Sequence, residues 1–187
     1  MEDITAEKDR FQNLSCRDFL TGLYNSRYLE TEFSELFSKA VENDAPAAIL
    51  FLDLDEFKPI NDTYGHHIGD RVLRNVADRL VENCGKRDKI VRLGGDEFAV
   101  LILEDVTKSR LAQLVLDLSD AVLAPMDCEE CTVCVDVSIG VGIAPDHGYT
   151  IDQLTKIADL SMYKDKQMKK MSNSIKSRRE RDQAKVA

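Results

Sequence analysis

Apolar residues fall along this chain in two clear rhythms. Pro46 opens a short run, Ala47 to Leu52, that is wholly apolar until it meets Asp53; at that length and so bounded it predicts a buried strand. Val133, Val135, Val137, Ile139, Val141 and Ile143 alternate with Cys134, Asp136, Ser138, Gly140, Gly142 and Ala144. That period of two predicts a half-buried strand, bent near its glycines. Two more runs, Ile90 to Leu93 and Glu97 to Leu103, are joined through Gly94 and Gly95, a tight-hairpin signal because central turn residues need positive φ. Helical periods fill the intervals. A stripe of Tyr28, Leu29, Phe33, Leu36, Phe37 and Ala40 marks a helix over 26–43, and signals near 57–64 end at Gly65. Further helices are predicted over 68–83, 108–123 and 151–169. The order helix, strand, helix, hairpin, helix, strand, helix predicts an α+β domain, a central, mostly antiparallel sheet flanked by helices.

The 187 residues suffice for one domain with a proper core. Residues 1–15 read as the end of a signalling helix or linker, with Ile4, Phe11 and Leu14 near heptad spacing, too short to hold a coiled coil alone. Residues 16–172 read as the domain, and 173–187 as a basic, disordered tail. Net charge is −9, yet nine Lys or Arg stand against three Asp or Glu from Lys164 onward, so the rest carries −15. A body so acidic argues against a nucleic-acid surface. No apolar run reaches the roughly 18 residues of a membrane span, and no signal peptide opens the chain. The expectation is a cytoplasmic domain, or the cytoplasmic part of a larger membrane-associated protein, with no direct membrane insertion. Five cysteines, an odd number, favour a reducing compartment. Cys128, Cys131 and Cys134 are spaced like zinc ligands but lack a fourth partner, and on a strand Cys131 and Cys134 face opposite ways. Small buried hydrophobes are the plainer reading.

The carboxylates carry the chemistry. Asp53 ends an otherwise apolar strand, Asp55 follows, and Asp96 and Glu97 come directly after the two glycines of a separate hairpin. Neighbouring strands would bring them to one sheet edge, where like charges repel unless a cation lies between. Oxygen donors select Mg²⁺ or Mn²⁺ over zinc. Asp55, just before a predicted helix, suits an N-cap. The amides near Phe57 and Lys58 suit a phosphate. Lys166 and Lys170, four apart on the last helix, share a face and suit a triphosphate. His66, His67 and His147 are assigned no catalytic role.

Taken together these residues resemble the GGDEF family of diguanylate cyclases. Arg92-Leu93 precede Gly94-Gly95-Asp96-Glu97-Phe98; the stretch from Leu52 to His66 (LDLDEFKPINDTYGH) is followed by Gly69-Asp70; Asp18 to Asn25 (DFLTGLYN) with Arg27 looks like the opening motif. Ser138-Ile139-Gly140, Ala158-Asp159 and Met162-Tyr163 follow downstream, so the likeness covers roughly residues 16–170. It implies a fold like nucleotidyl cyclases and polymerase palms, and an enzyme that condenses two GTP into cyclic di-GMP and two pyrophosphates across a two-fold homodimer. It also implies that Asp53 and Asp96 ligate metal, with the Leu54 carbonyl and Glu97 in the shell, two Mg²⁺ or Mn²⁺ per active site. Asp96 and Glu97 become the catalytic acids. Asn61 and Asp70 would bind guanine, whose N1–H and N2–H₂ donors match a carboxylate. Phe57, Lys58 and Gly95 would admit the phosphates, and Lys166 and Lys170 would balance them. A sensor or receiver domain is the usual upstream partner.

Two departures stand out. The family's inhibitory arginine is Gly85 here, although Asp88 is in place, so that product-binding site reads as degenerate. Lys170 holds the place of an arginine and Lys169 that of a glycine, which keeps charge but loses bidentate geometry. The alternative is a weak or degenerate domain that binds GTP and regulates a partner.

Overall fold

The computed structural model describes residues 15–129 and 131–184. The predicted helix end at 1–15 lies outside them except for Ser15. A two-residue strand β1 (Tyr24–Asn25) leads into a composite helix α1, made of Ser26–Tyr28, a π-helical turn Leu29–Phe33 and Ser34–Glu42. Then follow β2 (Ala47–Asp55), α2 (Phe57–Tyr64), α3 (His66–Asn83), β3 (Lys89–Gly94), β4 (Glu97–Ile102) and α4 (Lys108–Leu123). The chain continues through β5 (Met126–Asp127), β6 (Thr132–Val133), β7 (Asp136–Ala144) and α5 (Ile151–Ala184). The last helix takes in most of the segment read from composition as a tail.

Five strands form one sheet in the order β1-β3-β4-β2-β7, antiparallel throughout except where β1 runs parallel to β3. The central position of β2 explains its unbroken apolar run. Alternate residues leave it on opposite faces. Ala48, Leu50, Leu52 and Leu54 enter a core with α3 and α4, while Ala47, Ile49 and Phe51 join α1 and α5 residues Phe33, Phe37, Leu154 and Ala158. The same alternation puts Asp53 and Asp55 on the α5 face. Their cross-strand partners Glu97, Ser138 and Asp136 lie there too.

Four local expectations are corrected. Asp53 does not end its strand, which runs on through Leu54 and Asp55 because β7 pairs with all three. Asp55 is no helix cap: the N-cap of α2 is Glu56, in left-handed backbone (φ 58°) and without a side-chain cap bond. The hairpin turn is centred on Gly95 and Asp96, one residue later than predicted, since Gly94 pairs with Glu97 after a bulge between Arg92 and Gly94. The alternating run 133–144 is split. Val133 belongs to a separate β5–β6 ribbon, and the large sheet begins again at Asp136. The glycines in β7 serve close packing, because a Cβ on Gly140 would stand 1.9 Å from the Ala158 carbonyl oxygen and one on Gly142 2.4 Å from that of Leu154. Helix α5 therefore lies directly on the β7 backbone.

Candidate active site

The apolar stripe of α5, Leu154 and Ala158, gives way one turn on to Met162 and then to Asp165, Lys166 and Lys169. The sheet beneath changes from apolar to acidic at the same level, so lysines meet carboxylates. Lys166 Nζ donates to Asp53 Oδ1 at 2.5 Å and lies 4.0 Å from Asp55 Oδ1. Lys169 Nζ donates to Asp136 Oδ1 at 2.8 Å and to the Val137 carbonyl at 2.6 Å, and lies 3.7 Å from Asp55 Oδ2. Ser138 Oγ donates to both Asp55 oxygens, at 3.0 and 2.8 Å. The result is a ladder of alternating charge: Asp53, Lys166, Asp55, Lys169, Asp136. Burial raises the Asp55 carboxyl above its ordinary value, with Asp136 adding to the rise and Ser138, Lys169 and Lys166 opposing it.

The hairpin turn is strapped beside Asp53. The Leu54 N–H donates to the Asp96 carbonyl at 3.3 Å, and Glu97 sits opposite Asp53 in the β2–β4 register. Burial, then the charges of Asp53, Asp96 and Asp159, push the Glu97 carboxyl up against the pull of Lys166. Carboxylates thus outweigh cations here, and the Lys166 ammonium stands where a cation is wanted. For that ammonium burial acts downward, yet the bond to Asp53 and the charges of Asp53, Asp55 and Asp96 raise its pKa overall. Among the described residues no three His, Cys, Asp or Glu side chains form a metal-holding group. The predicted donor set, the Asp53, Asp96 and Glu97 carboxylates with the Leu54 carbonyl, is all oxygen, a chemistry that fits Mg²⁺ or Mn²⁺.

The remaining predicted residues take three places. Phe57 is buried at the first turn of α2, where the backbone N–H groups lack a side-chain cap, and Lys58 beside it is exposed. Asn61 packs its amide against Gly69, where a Cβ would meet Asn61 Oδ1 at 1.9 Å, which draws Asn61 toward the start of α3 and the adjoining Asp70. Gly95 has φ 54° and open space around its missing Cβ. Lys166, Lys169 and Lys170 line a cleft of about 330 Å³ with Asp55, Glu56 and Asp136. Lys170 is the most exposed of these three lysines. Lys169 was not foreseen, because its partners Asp136 and Val137 become neighbours only when α5 lies on β7.

A second unforeseen contact fixes the hairpin. Arg92 donates through Nε and Nη2 to the Gly95 carbonyl at 3.1 and 2.7 Å, and through Nη1 to Asp18 Oδ1 at 3.1 Å. Asp18 also accepts from the Thr21 N–H and hydroxyl at 3.0 and 2.7 Å. The opening motif thereby holds the glycine turn in place. Asp88 lies elsewhere, outside this cluster. Its side chain keeps 4% of its surface exposed, and Oδ2 accepts from Arg110 Nη2 at 2.6 Å and the Gly85 N–H at 2.8 Å.

A mostly antiparallel sheet with carboxylates on the face beneath a lysine-bearing helix makes a palm-like cyclase fold. The chain belongs to the GGDEF domain family: residues 15–172 match the family model described as diguanylate cyclase, GGDEF domain. It is 39% identical over 150 residues to the bifunctional diguanylate cyclase/cyclic di-GMP phosphodiesterase MucR of Pseudomonas aeruginosa, covering 80% of this chain and 22% of that protein. With the response regulator PleD of Caulobacter vibrioides it shares 36% over 161 residues, 84% of this chain and 35% of PleD. The solved GGDEF domain of TpbB (YfiN) from Pseudomonas aeruginosa superposes with a TM-score of 0.77 at 35% identity, covering 81% of this chain and 89% of that one. The chain spans only about a fifth to a third of the two curated relatives' length.

Proposed function

We propose that this domain condenses two GTP into cyclic di-GMP and two pyrophosphates across a two-fold homodimer. The observation that carries the reading is the excess of carboxylate at the α5 face: Asp53 and Glu97 are cross-strand partners, and Leu54 ties Asp96 beside them. Asp53, Asp96 and the Leu54 carbonyl, with Glu97, would hold two Mg²⁺ or Mn²⁺ per active site. When bound, the metals acidify the ribose 3′-hydroxyl and neutralise charge on the leaving pyrophosphate.

The chain's own groups do the rest. Lys166, released from Asp53, and Lys170 offset the triphosphate from one helix face. The uncapped amides at Phe57 and Lys58 receive phosphate oxygens, and Gly95 lets backbone approach the nucleotide. Asp70 accepts from guanine N1–H and N2–H₂ with Asn61 beside it, which selects GTP over ATP. In each half-reaction the 3′-oxygen of one GTP forms a bond to the α-phosphorus of the other. The α–β bridging P–O bond breaks, and the 3′-hydroxyl gives up its proton. Each subunit holds one GTP, so turnover requires the dimer. Among the described residues no helix is long and apolar enough to cross a membrane; the proposed setting is cytoplasmic, under an upstream sensor or receiver domain.

The weak, GTP-binding regulator is favoured by one feature, Lys169 and Lys170 where the family has glycine and arginine. Fusing a dimeric coiled coil to the N-terminus separates the two readings. A cyclase gains rate in Mg²⁺ and loses all turnover in EDTA. A fused dimer that makes no product supports the regulator, and turnover that survives chelation would overturn the metal-dependent mechanism.

A further inference from the structure

The cysteine-rich segment around the β5–β6 ribbon is not used by the proposed catalysis. It carries two overlapping Cys-X-X-Cys spacings, Cys128 to Cys131 and Cys131 to Cys134, a pattern that serves either metal binding or dithiol chemistry. The fold distinguishes the spacings. The three thiols lack the fourth ligand that a structural zinc site takes. Cys134 is exposed in the wall of the lysine-lined cleft. Cys128 is fully buried in the core beneath α3 and α4, and Cys131 packs against that same core while half-exposed.

The ribbon register shows how the first two meet. Met126 pairs with Val133 and Asp127 with Thr132. One step further the ladder reaches Cys128 and Cys131, and the Cys128 N–H donates to the Cys131 carbonyl at 2.9 Å. Directly opposed residues of an antiparallel ladder share a face. Their Cα atoms stand about 5.5 Å apart at a hydrogen-bonded pair, within the roughly 4.4–6.8 Å that a disulfide spans. Met126 and Val133, two residues away on the two strands, enter the same core and confirm the shared face. Burial raises the Cys128 pKa, with the Cys131 thiol adding to the rise.

We infer that Cys128 and Cys131 form a reversible dithiol, which a small disulfide such as oxidised glutathione closes in a fixed order. Cys131, the accessible member, attacks first as thiolate: its Sγ bonds to one glutathione sulfur, and the other glutathione leaves as a thiolate. Cys128 then attacks Cys131 Sγ and expels the second glutathione. Two protein thiols are oxidised, one glutathione disulfide is reduced, and the two protons given up by the cysteines pass to the two glutathione thiolates. The buried thiol serves as the resolving partner, because it reaches Cys131 without needing access to solvent.

The test treats the folded chain carrying Cys134→Ser with oxidised glutathione, caps remaining thiols and maps them by mass. The expected product has Cys128 and Cys131 joined, no glutathione retained at either, and full reversal by dithiothreitol. With Cys128→Ser added, the reaction stops at a stable glutathione adduct on Cys131. With Cys131→Ser instead, Cys128 stays capped as a thiol. A lasting glutathione adduct on Cys131 while Cys128 is intact would overturn the inference. So would Cys131 joined to Cys134 rather than Cys128 in the unsubstituted chain. Circular dichroism on each variant separates these outcomes from unfolding, and none depends on cyclase activity.

Discussion

Two acid–base clusters in this molecule look alike as residue types and differ in how their charges are settled. At the α5 face, Asp53, Asp96 and Glu97 gather around the Lys166 ammonium, and burial with neighbouring charge pushes the Glu97 carboxyl up. Just before β3, Asp88 is closed by the Arg110 guanidinium and the Gly85 N–H and is almost wholly buried. The second cluster is complete within the protein. The first has negative charge to spare and a cleft beside it, which is what a site for a cation and a polyanion requires. An acidic cluster therefore signals a ligand only when the fold leaves its charge unbalanced.

The comparison breaks most sharply at Asp53. Asp53→Asn keeps the shape and removes a carboxylate of the proposed metal site, so cyclic di-GMP formation should fall by about 10²–10³ or more, as read by product chromatography, with the thermal midpoint little changed. Activity within tenfold of the parent would mean that the excess charge is structural. At the closed cluster the expectation runs the other way. Asp88→Ala should cost about 3 kcal/mol in urea unfolding, because Arg110 loses its buried partner, while added cyclic di-GMP should leave the parent's rate unchanged. Micromolar inhibition that Asp88→Ala abolishes would contradict this.

The α5-face cluster depends on the close approach of α5 to β7, which Gly140 permits. Gly140→Ala would drive a methyl into the Ala158 carbonyl, and overpacking of this kind costs about 1–3 kcal/mol. Because α5 carries Lys166 and Lys169, activity should fall with stability. A variant as stable as the parent would show that α5 can shift without penalty. The smallest effect belongs to Asp18. Burial opposes its ionisation, but bonds from Thr21 and Arg92 win and hold its carboxyl below the usual 3.8. A depressed folded value means that this stabilisation is present above the unfolded pKa and is lost as pH falls through the folded one. The stability gap between the parent and Asp18→Asn should therefore be open at neutral pH and close below about pH 3.8; a gap independent of pH would exclude the Asp18–Arg92 charge as its source.

The strands and helices with strong periods are legible in the sequence, as is the meeting of Asp53 with the hairpin acids. The period of β2 decides which face its acids take, since Phe51 and Asp53 are two residues apart. What was hidden depends on tertiary approach. Asp55 looks like a cap from its neighbours along the chain, yet β7 extends the strand past it and supplies Ser138. Lys169 gains its role from Asp136, 33 residues earlier. Val133 and Cys134 open one alternating run, but Val133 belongs to the β5–β6 ribbon and the large sheet begins again only at Asp136, and no local pattern marks that break. Strand β1 is too short to show a period at all.

The central claim is that the unbalanced acids at the α5 face make this domain a metal-dependent GTP-condensing enzyme. The most direct measurement is chromatography of the products formed from GTP and Mg²⁺ by the purified chain at high concentration, beside Asp96→Ala. Cyclic di-GMP from the parent and none from the variant is the predicted result. Equal product from both, or none from the parent even when a fused coiled coil enforces the dimer, would contradict it.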